Sequence, residues 1–284
     1  MNRKGIFLAI LAAGLYAINS PLSKLLLQYV PEKLMAGLLY LGAGLCMGFI
    51  ALYRKLSKSD KKEEKLTKGE LPFVIGMIVL DILAPIFLLM GLNRTSAANV
   101  SLLNNFEIVA TAFVAYFAFK EKIKKRLWLG IFFVTTSCAI LSFEDASSLQ
   151  FSVGSLFVLL AAVCWGFENN CTRKISSKDP MQIVLLKGIF SGLGSLIIGL
   201  CLGEKFGLIW PIFAVLAVGC VAYGLSIYYY VYAQRLLGAA KTSAYYAIAP
   251  FIGAILSLII FGEIPGPHFF VALVFMAIGA WLSA

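Results

Sequence analysis

The sequence has few of the residues that soluble enzymes use for catalysis. Among its 284 residues there is one histidine, and only 13% are charged, whereas about 25% are charged in an average soluble domain. It holds neither an HExxH zinc motif nor a GxxxxGK(S/T) phosphate loop. The six cysteines have no metal-type spacing, and we interpret them as small core residues. We therefore expect no catalytic residues, no bound metal and no cofactor.

Apolar side chains are what the sequence has in excess. Hydrophobic residues make up 61% of the chain and the mean hydropathy is +0.90, which excludes an ordinary soluble domain. Runs of roughly 17 to 25 apolar residues can each cross ~30 Å of hydrocarbon. Ten such runs lie near residues 5–27, 33–53, 71–91, 95–118, 127–143, 153–171, 181–202, 208–232, 239–262 and 266–283. They lack the alternation of barrel strands, so the sequence predicts an all-α integral membrane protein with ten transmembrane helices.

The chain contains one pattern twice. The stretch from Asn93 to Glu121 recurs without gaps as Arg235 to Glu263, at an offset of 142 residues, and each copy is an apolar run that ends in an acid. The beginnings of the halves match at an offset of 149 residues, and we attribute the difference to an insertion in the basic loop Arg54 to Glu70. Because internal repeats determine architecture, we predict one five-helix repeat in residues 1–150 and a second in residues 151–284.

The positive charges predict the orientation of the bundle. Loops on the N-terminal side carry 18 of the 24 lysines and arginines, so by the positive-inside rule both termini are expected to be cytoplasmic. The net charge of +10 then reflects topology and contact with the lipid bilayer, not nucleic-acid binding. Since five helices per half is an odd number, the second half must be inverted relative to the first, as in many secondary transporters.

Two pairs of matching segments carry a resemblance to a known family. They are TSAANVSLLNNFEIVATAFVAYFAFKEK, its copy GAAKTSAYYAIAPFIGAILSLIIFGE, and LAAGLYAINSPLSK with its counterpart LAAVCWGFENNCTRK. Over essentially the whole chain, the sequence resembles the EamA-type, ten-helix branch of the drug/metabolite transporter superfamily. The resemblance implies a transporter of small organic solutes, commonly an exporter, with helices 1, 3, 4, 6, 8 and 9 around a central cavity. Because Ile108 stands where the family often has proline, we expect helix 4 to lack the break expected at Pro250.

Two acids lie near the middle of predicted helices, Asp81 in helix 3 and Glu107 in helix 4. Ionisable side chains are costly inside a bilayer, and they normally face a cavity or a partner. We predict that each is a proton-coupling group or a contact for a substrate amine. The alternative is a buried carboxylic acid, permanently protonated or hydrogen-bonded, that serves packing alone.

Two further ionisable residues have two interpretations each. Glu168 of helix 6 either lines the cavity or pairs with Arg173 or Lys174 near the end of its helix. Lys187 lies six residues into helix 7 and either snorkels to the interface or is the counter-ion of a buried acid or a substrate carboxylate.

Amides and aromatic rings complete the candidate site. The repeat aligns Glu168 with Asn19 and Trp165 with Tyr16, which sets each pair at matching depth. The polar face around Asn104 either joins helices or lines the cavity. We predict as substrate-binding residues Tyr16, Asn19, Asp81, Asn104, Asn105, Glu107, Trp165, Glu168, Tyr223, Tyr245 and Tyr246, with Asp81 and Glu107 also as coupling residues.

These observations favour a secondary active transporter of the inner cell membrane, working by alternating access as a monomer or weak dimer. Because phosphates need clustered lysine or arginine and the spans have no such cluster, we expect an amino acid or a related amine-bearing solute, exported or exchanged. A multidrug exporter of hydrophobic cations is the alternative. A membrane-embedded enzyme that acts on a lipid is the alternative from a different class.

Overall fold

The computed structural model of the chain describes residues 3–57, 63–120, 124–143, 152–237, 242, 245–262 and 265–283. Seven helices in these ranges are long and apolar enough to cross a membrane, and three are shorter. In chain order we number them α1 (Arg3–Leu26), α2 (Glu32–Leu56), α3 (Lys68–Leu92), α4 (97–119), α5 (Lys125–Leu141), α6 (Val153–Ile175), α7 (Pro180–Cys201), α8 (Trp210–Leu237), α9 (Ala249–Phe261) and α10 (Pro267–Ser283). The protein is thus an all-α, multi-span membrane protein.

Helix α4 is broken, contrary to our expectation. It consists of Ala97–Leu103 and Phe106–Phe119, and the turn between them is tightened, since the Asn105 N–H donates to the carbonyl of Leu102 (3.1 Å). The reason we give is that asparagine side chains compete with the helix backbone for hydrogen bonds, so two in succession loosen it without proline. The matching break precedes Pro250, because α9 begins at Ala249 after a turn.

Three other helices are also irregular. Helix α1 is interrupted at Ile18, between Arg3–Ala17 and Asn19–Leu26, because Pro21 has no N–H to donate to the carbonyl four residues earlier. Helices α7 and α8 each contain a π-helical turn, Lys187–Ser191 and Gly219–Leu225 respectively. π-helical turns occur often at functional sites.

The helix contacts between the two halves are symmetric. Helix α3 packs against α6 as α8 packs against α1, and α4 packs against α6 as α9 packs against α1. The pairs α2 with α7, α4 with α9 and α5 with α10 each join the two halves. This pattern is unchanged when every helix is exchanged for its counterpart five positions on, as a two-fold axis between the halves requires. The predicted boundary at residues 150 and 151 lies outside the described residues.

Glycines let α2 approach α7 and α8 closely. A Cβ atom added at Gly188 would lie 2.2 Å from the backbone nitrogen of Gly44, and one at Gly219 would lie 2.1 Å from the carbonyl oxygen of Leu39. Small residues of this kind allow backbone contact between membrane helices.

The same close seam corrects our interpretation of the cysteines. Cys46 of α2 and Cys220 of α8 form a disulfide, with their Cα atoms 5.4 Å apart. The prediction that all six cysteines are small core residues is therefore wrong for this pair. It is also wrong for Cys201, which is free and exposed, whereas Cys138 is buried.

Charged residues fasten the halves at both ends of the bundle. At the basic end, where α1 begins, Glu63 pairs with Arg235 (2.7 Å) and Glu64 pairs with Lys178. The hydrogen bond with Glu64 raises the pKa of the Lys178 ammonium above its ordinary value. At the opposite end Glu204 pairs with Lys33 (2.9 Å). The α2–α3 loop therefore acts as a strap over the second half.

We predict that Gly219→Ala destabilises the protein, because the new methyl group would collide with the backbone of α2. Overpacking of this kind costs about 1 to 3 kcal/mol. Thermal unfolding in detergent measures it. Gly14→Ala is the control, since a Cβ there meets no atom within 4 Å; equal melting temperatures for the two variants would contradict the close α2–α8 seam.

Candidate functional site

Two adjoining cavities lie inside the bundle, where helices from both halves meet. The larger has a volume of about 160 Å³ and the smaller about 60 Å³. They share the lining residues Tyr16, Glu107, Asn169, Tyr230 and Tyr246. Pockets between helices of a bundle, with a few polar groups among apolar walls, are typical ligand sites.

The smaller cavity ends at a buried cluster of charges. The Lys187 ammonium lies 3.2 Å from Oδ2 of Asp81 and 2.7 Å from Oε1 of Glu168. Tyr40 donates a hydrogen bond to Oδ1 of Asp81 (2.7 Å), and Thr172 donates one to Glu168. We call Asp81, Glu168 and Lys187 the ionic triad. None of the three is more than 3% exposed, so in the membrane interior each depends on the others for its charge.

Lys187 and Glu168 each had two interpretations, and for each residue the structure supports one of them. Lys187 does not snorkel to the interface but is the counter-ion of buried acids. Glu168 pairs with Lys187 rather than with a basic residue near the end of its own helix. Lys187 opens the π-helical turn of α7, which is the local feature that places its ammonium group between α3 and α6.

Glu107 faces both cavities but, unlike the acids of the ionic triad, it is not paired with Lys187. It lies just after the break in α4 and accepts a hydrogen bond from the side-chain amide of Asn169. Within the described part of the chain, no lysine or arginine forms an ion pair with Glu107. Its carboxylate is therefore available to a cationic ligand.

Several polar atoms of the larger cavity are buried without a hydrogen-bond partner. They are Oδ1 of Asn104, Nδ2 of Asn105, Oγ1 of Thr111 and Oε1 of Gln234. A buried polar group without a partner is costly and uncommon in native proteins. Four such atoms around one cavity make its wall suited to a polar ligand or to bound water.

Aromatic rings form the remaining walls. Tyr16 is central, with ring centroids 6.5 Å from Trp165, 6.0 Å from Tyr223 and 5.9 Å from Tyr246. The hydroxyl of Tyr16 also accepts a hydrogen bond from Asn104 (3.2 Å). Ring faces attract ammonium groups as well as apolar surface.

Most of the predicted site residues line these two cavities: Tyr16, Asp81, Asn104, Asn105, Glu107, Trp165, Glu168, Tyr223 and Tyr246. Asn19 lies behind the wall, where it donates to the Tyr223 hydroxyl (3.3 Å). Tyr245 instead packs on a small apolar cluster with Leu8 and Ala233. The two adjacent tyrosines therefore have different environments.

Our sequence-based set omitted several residues of the site: Tyr40, Thr111, Asn169, Thr172 and Gln234. Helical periodicity would have found three of them. Thr111 lies four residues after Glu107, and Asn169 and Thr172 share a face with Trp165. Tyr40 gave no such signal, since α2 has no other residue in the cavities.

A third cavity, of about 310 Å³, lies at the basic end. Arg54 lies over the ring of Tyr228 (5.7 Å) and Lys4 over the ring of Tyr232 (5.6 Å). Basic and aromatic residues together are typical of a membrane interface. We therefore place the candidate site in the two interior cavities.

A bundle of membrane helices with a polar, ionisable cavity between its halves has the architecture of a transporter. The chain belongs to the EamA-like transporter family, whose sequence profile matches residues 3–143 and 152–284. This family lies within the superfamily that the sequence resembles.

Named relatives and a solved structure are consistent with this assignment. An uncharacterized transporter of Methanothermobacter thermautotrophicus is 25% identical over 280 residues, which cover 93% of this chain and 81% of the relative. The uncharacterized transporter YyaM of Bacillus subtilis (strain 168) is 24% identical over 206 residues, covering 69% and 67%. A protein of known crystal structure superposes with a TM-score of 0.70 at 16% identity, covering 99% of this chain and 96% of that one. The last similarity concerns the fold alone.

The adjacent tyrosines Tyr245 and Tyr246 allow a matched test of the cavity. Tyr246→Ala removes a ring that contacts Tyr16 and Tyr230 inside it, so we expect affinity for a transported solute to fall about tenfold, the equivalent of one ring contact. Tyr245→Ala should change that affinity less than about threefold. Equilibrium binding to purified protein measures both; a larger loss for Tyr245→Ala would place the site elsewhere.

Proposed function

We propose that the protein is a secondary active transporter of amino acids or related small amine-bearing solutes. The observation that carries this proposal is the larger cavity, in which Glu107 has no ion-pair partner among the described residues while buried acceptor atoms of Asn104 and Gln234 lack donors. An ammonium group supplies a positive charge and N–H donors together, and it satisfies both needs.

Cavity size supports a small solute. An apolar cavity of ~150 Å³ holds benzene, so about 160 Å³ fits a molecule with the dimensions of a small amino acid. Larger hydrophobic cations, the substrates of the multidrug alternative, would require the cavity to expand. For this reason we favour the amino-acid proposal over that alternative.

Charge supports a solute that is not an anion. Three acids, Asp81, Glu107 and Glu168, face the smaller cavity with one lysine. That lysine is already paired with Asp81 and Glu168, and phosphates need clustered lysine or arginine. Arg173 lines the larger cavity and already makes an interaction within the chain. We propose that the carboxylate of an amino acid, whose ammonium group binds Glu107, competes for it.

We further propose export or exchange by alternating access in the inner cell membrane, by a monomer or weak dimer with both termini in the cytoplasm. In inverted-repeat transporters the substrate binds between the repeats near the midplane, and one half moves against the other. The position of Glu107 at the break of α4 is consistent with that arrangement.

The transport prediction compares two acids. A thermal-shift screen with amino acids, amines, nucleosides and sugar phosphates first selects a solute, and its flux into proteoliposomes is then measured. Glu107→Gln should weaken its binding about tenfold or more, because a charge-assisted bond is worth about 1.5 to 3 kcal/mol. Glu204→Gln, at the far end of the bundle, should leave binding unchanged.

Arg173→Gln refines this test. If the substrate is an amino acid, the variant should lose affinity for it but not for the amine that lacks the carboxylate. Specific binding of a sugar phosphate that survives Glu107→Gln would contradict the proposed substrate class. Stabilisation by no small solute, together with turnover of a lipid, would support the enzyme alternative.

Orientation has its own prediction. In a background with the exposed Cys201 replaced by serine, a cysteine at Ser57, at the basic end, should react with an impermeant maleimide only in inside-out vesicles. A cysteine at Gly207, in the loop after α7, should react only in right-side-out vesicles. The reverse pattern would place the termini outside the cell.

A further inference from the structure

We propose that the ionic triad is a site for a single exchangeable proton, which resides on Oδ2 of Asp81, and that Lys187 limits the capacity of the triad to one proton. The proposal goes beyond the substrate site at Glu107. It rests on the proposed function only for the use of this proton in transport, because the site itself can be tested without a substrate.

The charges of the ionic triad do not balance. Two carboxylates and one ammonium group leave a net charge of minus one, and the three side chains are at most 3% exposed. An uncompensated charge in such surroundings is neutralised by a proton in preference to remaining ionised. One proton therefore makes the triad neutral, and a second would give it a positive charge.

The two acids of the triad, Asp81 and Glu168, differ in their hydrogen-bond partners. Oε1 of Glu168 has two partners, the Lys187 ammonium (2.7 Å) and the Thr172 hydroxyl. Oδ1 of Asp81 accepts from Tyr40 (2.7 Å), whereas Oδ2 lies 3.2 Å from the Lys187 nitrogen and has no aligned hydrogen bond. The proton therefore belongs on Oδ2 of Asp81, while Glu168 stays ionised beside Lys187.

The proton on Asp81 can be exchanged. The hydrogen bond from Tyr40 stabilises Asp81 when it is ionised as well, so the proton can leave without abandoning a bare charge. All three members of the triad line the smaller cavity, which adjoins the larger one at Glu107 and Asn169. This continuity gives a route for the proton between the cavities and Asp81.

The charge of the triad is coupled to the positions of helices α3 and α7. Lys187 opens a π-helical turn in α7, and Asp81 lies four residues before Pro85, which has no N–H to donate to the Asp81 carbonyl. Near the triad, α7 is thus π-helical and the continuous helix α3 lacks one backbone hydrogen bond. A change in the charge of the triad acts on the two points where α3 and α7 repack most easily.

The titratable side chains that face the triad from the surrounding helices are Tyr16, Tyr40, Glu107, Cys171, Tyr223, Tyr230 and Tyr246. Glu107 is the only carboxylic acid among these described residues. It contributes its own signal to a measurement of protonated acids, so the test is made in a Glu107→Gln background, which also makes it independent of substrate binding.

Infrared difference spectroscopy of the reconstituted protein, between mildly acidic and mildly alkaline buffer, measures the C=O stretch of protonated carboxylic acids. Taking the band of the Glu107→Gln protein as one, we expect no band for Asp81→Asn, which leaves a neutral pair. Lys187→Met should double the band. The double variant Asp81→Asn/Lys187→Met should restore it to one. Lys187→Arg keeps the charge and should leave it at one.

Glu168→Gln separates this proposal from simple burial of Asp81. It leaves Asp81 and Lys187 as a neutral pair, so the band should disappear although Asp81 is still present. A band that persists in Glu168→Gln, or a Glu107→Gln protein without any band, overturns the proposal. Asp81→Asn and Glu168→Gln decide the question even where Lys187→Met does not fold, and their result is independent of whether an amine is transported.

Discussion

The Lys187 ammonium between two buried carboxylates is the interaction on which the interior of this protein depends. Taking ions out of water costs several kcal/mol for each, even after relaxation. The cost is offset only because partners come from four helices: Tyr40 of α2, Asp81 of α3, Glu168 of α6 and Lys187 of α7. Two of these helices belong to each half, so the charges hold the halves in register as well as defining the end of the cavity.

The repeat explains why the backbone can be irregular there. A helix that spans lipid must keep its own hydrogen bonds, whereas one that lines a cavity can give some up. The breaks in α4 and before Pro250 occupy matching places in the two halves, and α4 packs against α9. The two weak points of the backbone thus meet where a solute would lie, while the glycine-lined seams around α2 hold the surrounding helices in close contact.

Hydrophobic length and internal repetition were enough to predict the fold, because both are written along the chain. The prediction that α4 is unbroken was wrong, because we looked only for proline and the break comes from two successive asparagines. Within the site, sequence depth pointed to Asp81, Glu107 and Glu168. It could not distinguish snorkelling from pairing for Lys187, which depends on the turn of α7. Nor could it separate Tyr245 from Tyr246, since the orientation of the short segment before the turn at the start of α9 decides which ring enters the cavity.

The strap between α2 and α3 makes the two ends of the protein respond differently to ionic strength. Its pairs, such as Glu63 with Arg235, lie at the partly exposed basic end, where charges are screened over about 8 Å at physiological salt and about 3 Å at 1 M. At the other end Glu204 also accepts from the backbone N–H of Leu34 (2.9 Å), and the rings of Tyr29 and Trp210 pack together (5.0 Å). Hydrogen bonds to the backbone and ring packing are less sensitive to salt. High salt should therefore loosen the basic end first, so that ionic strength acts on the two ends of the bundle separately.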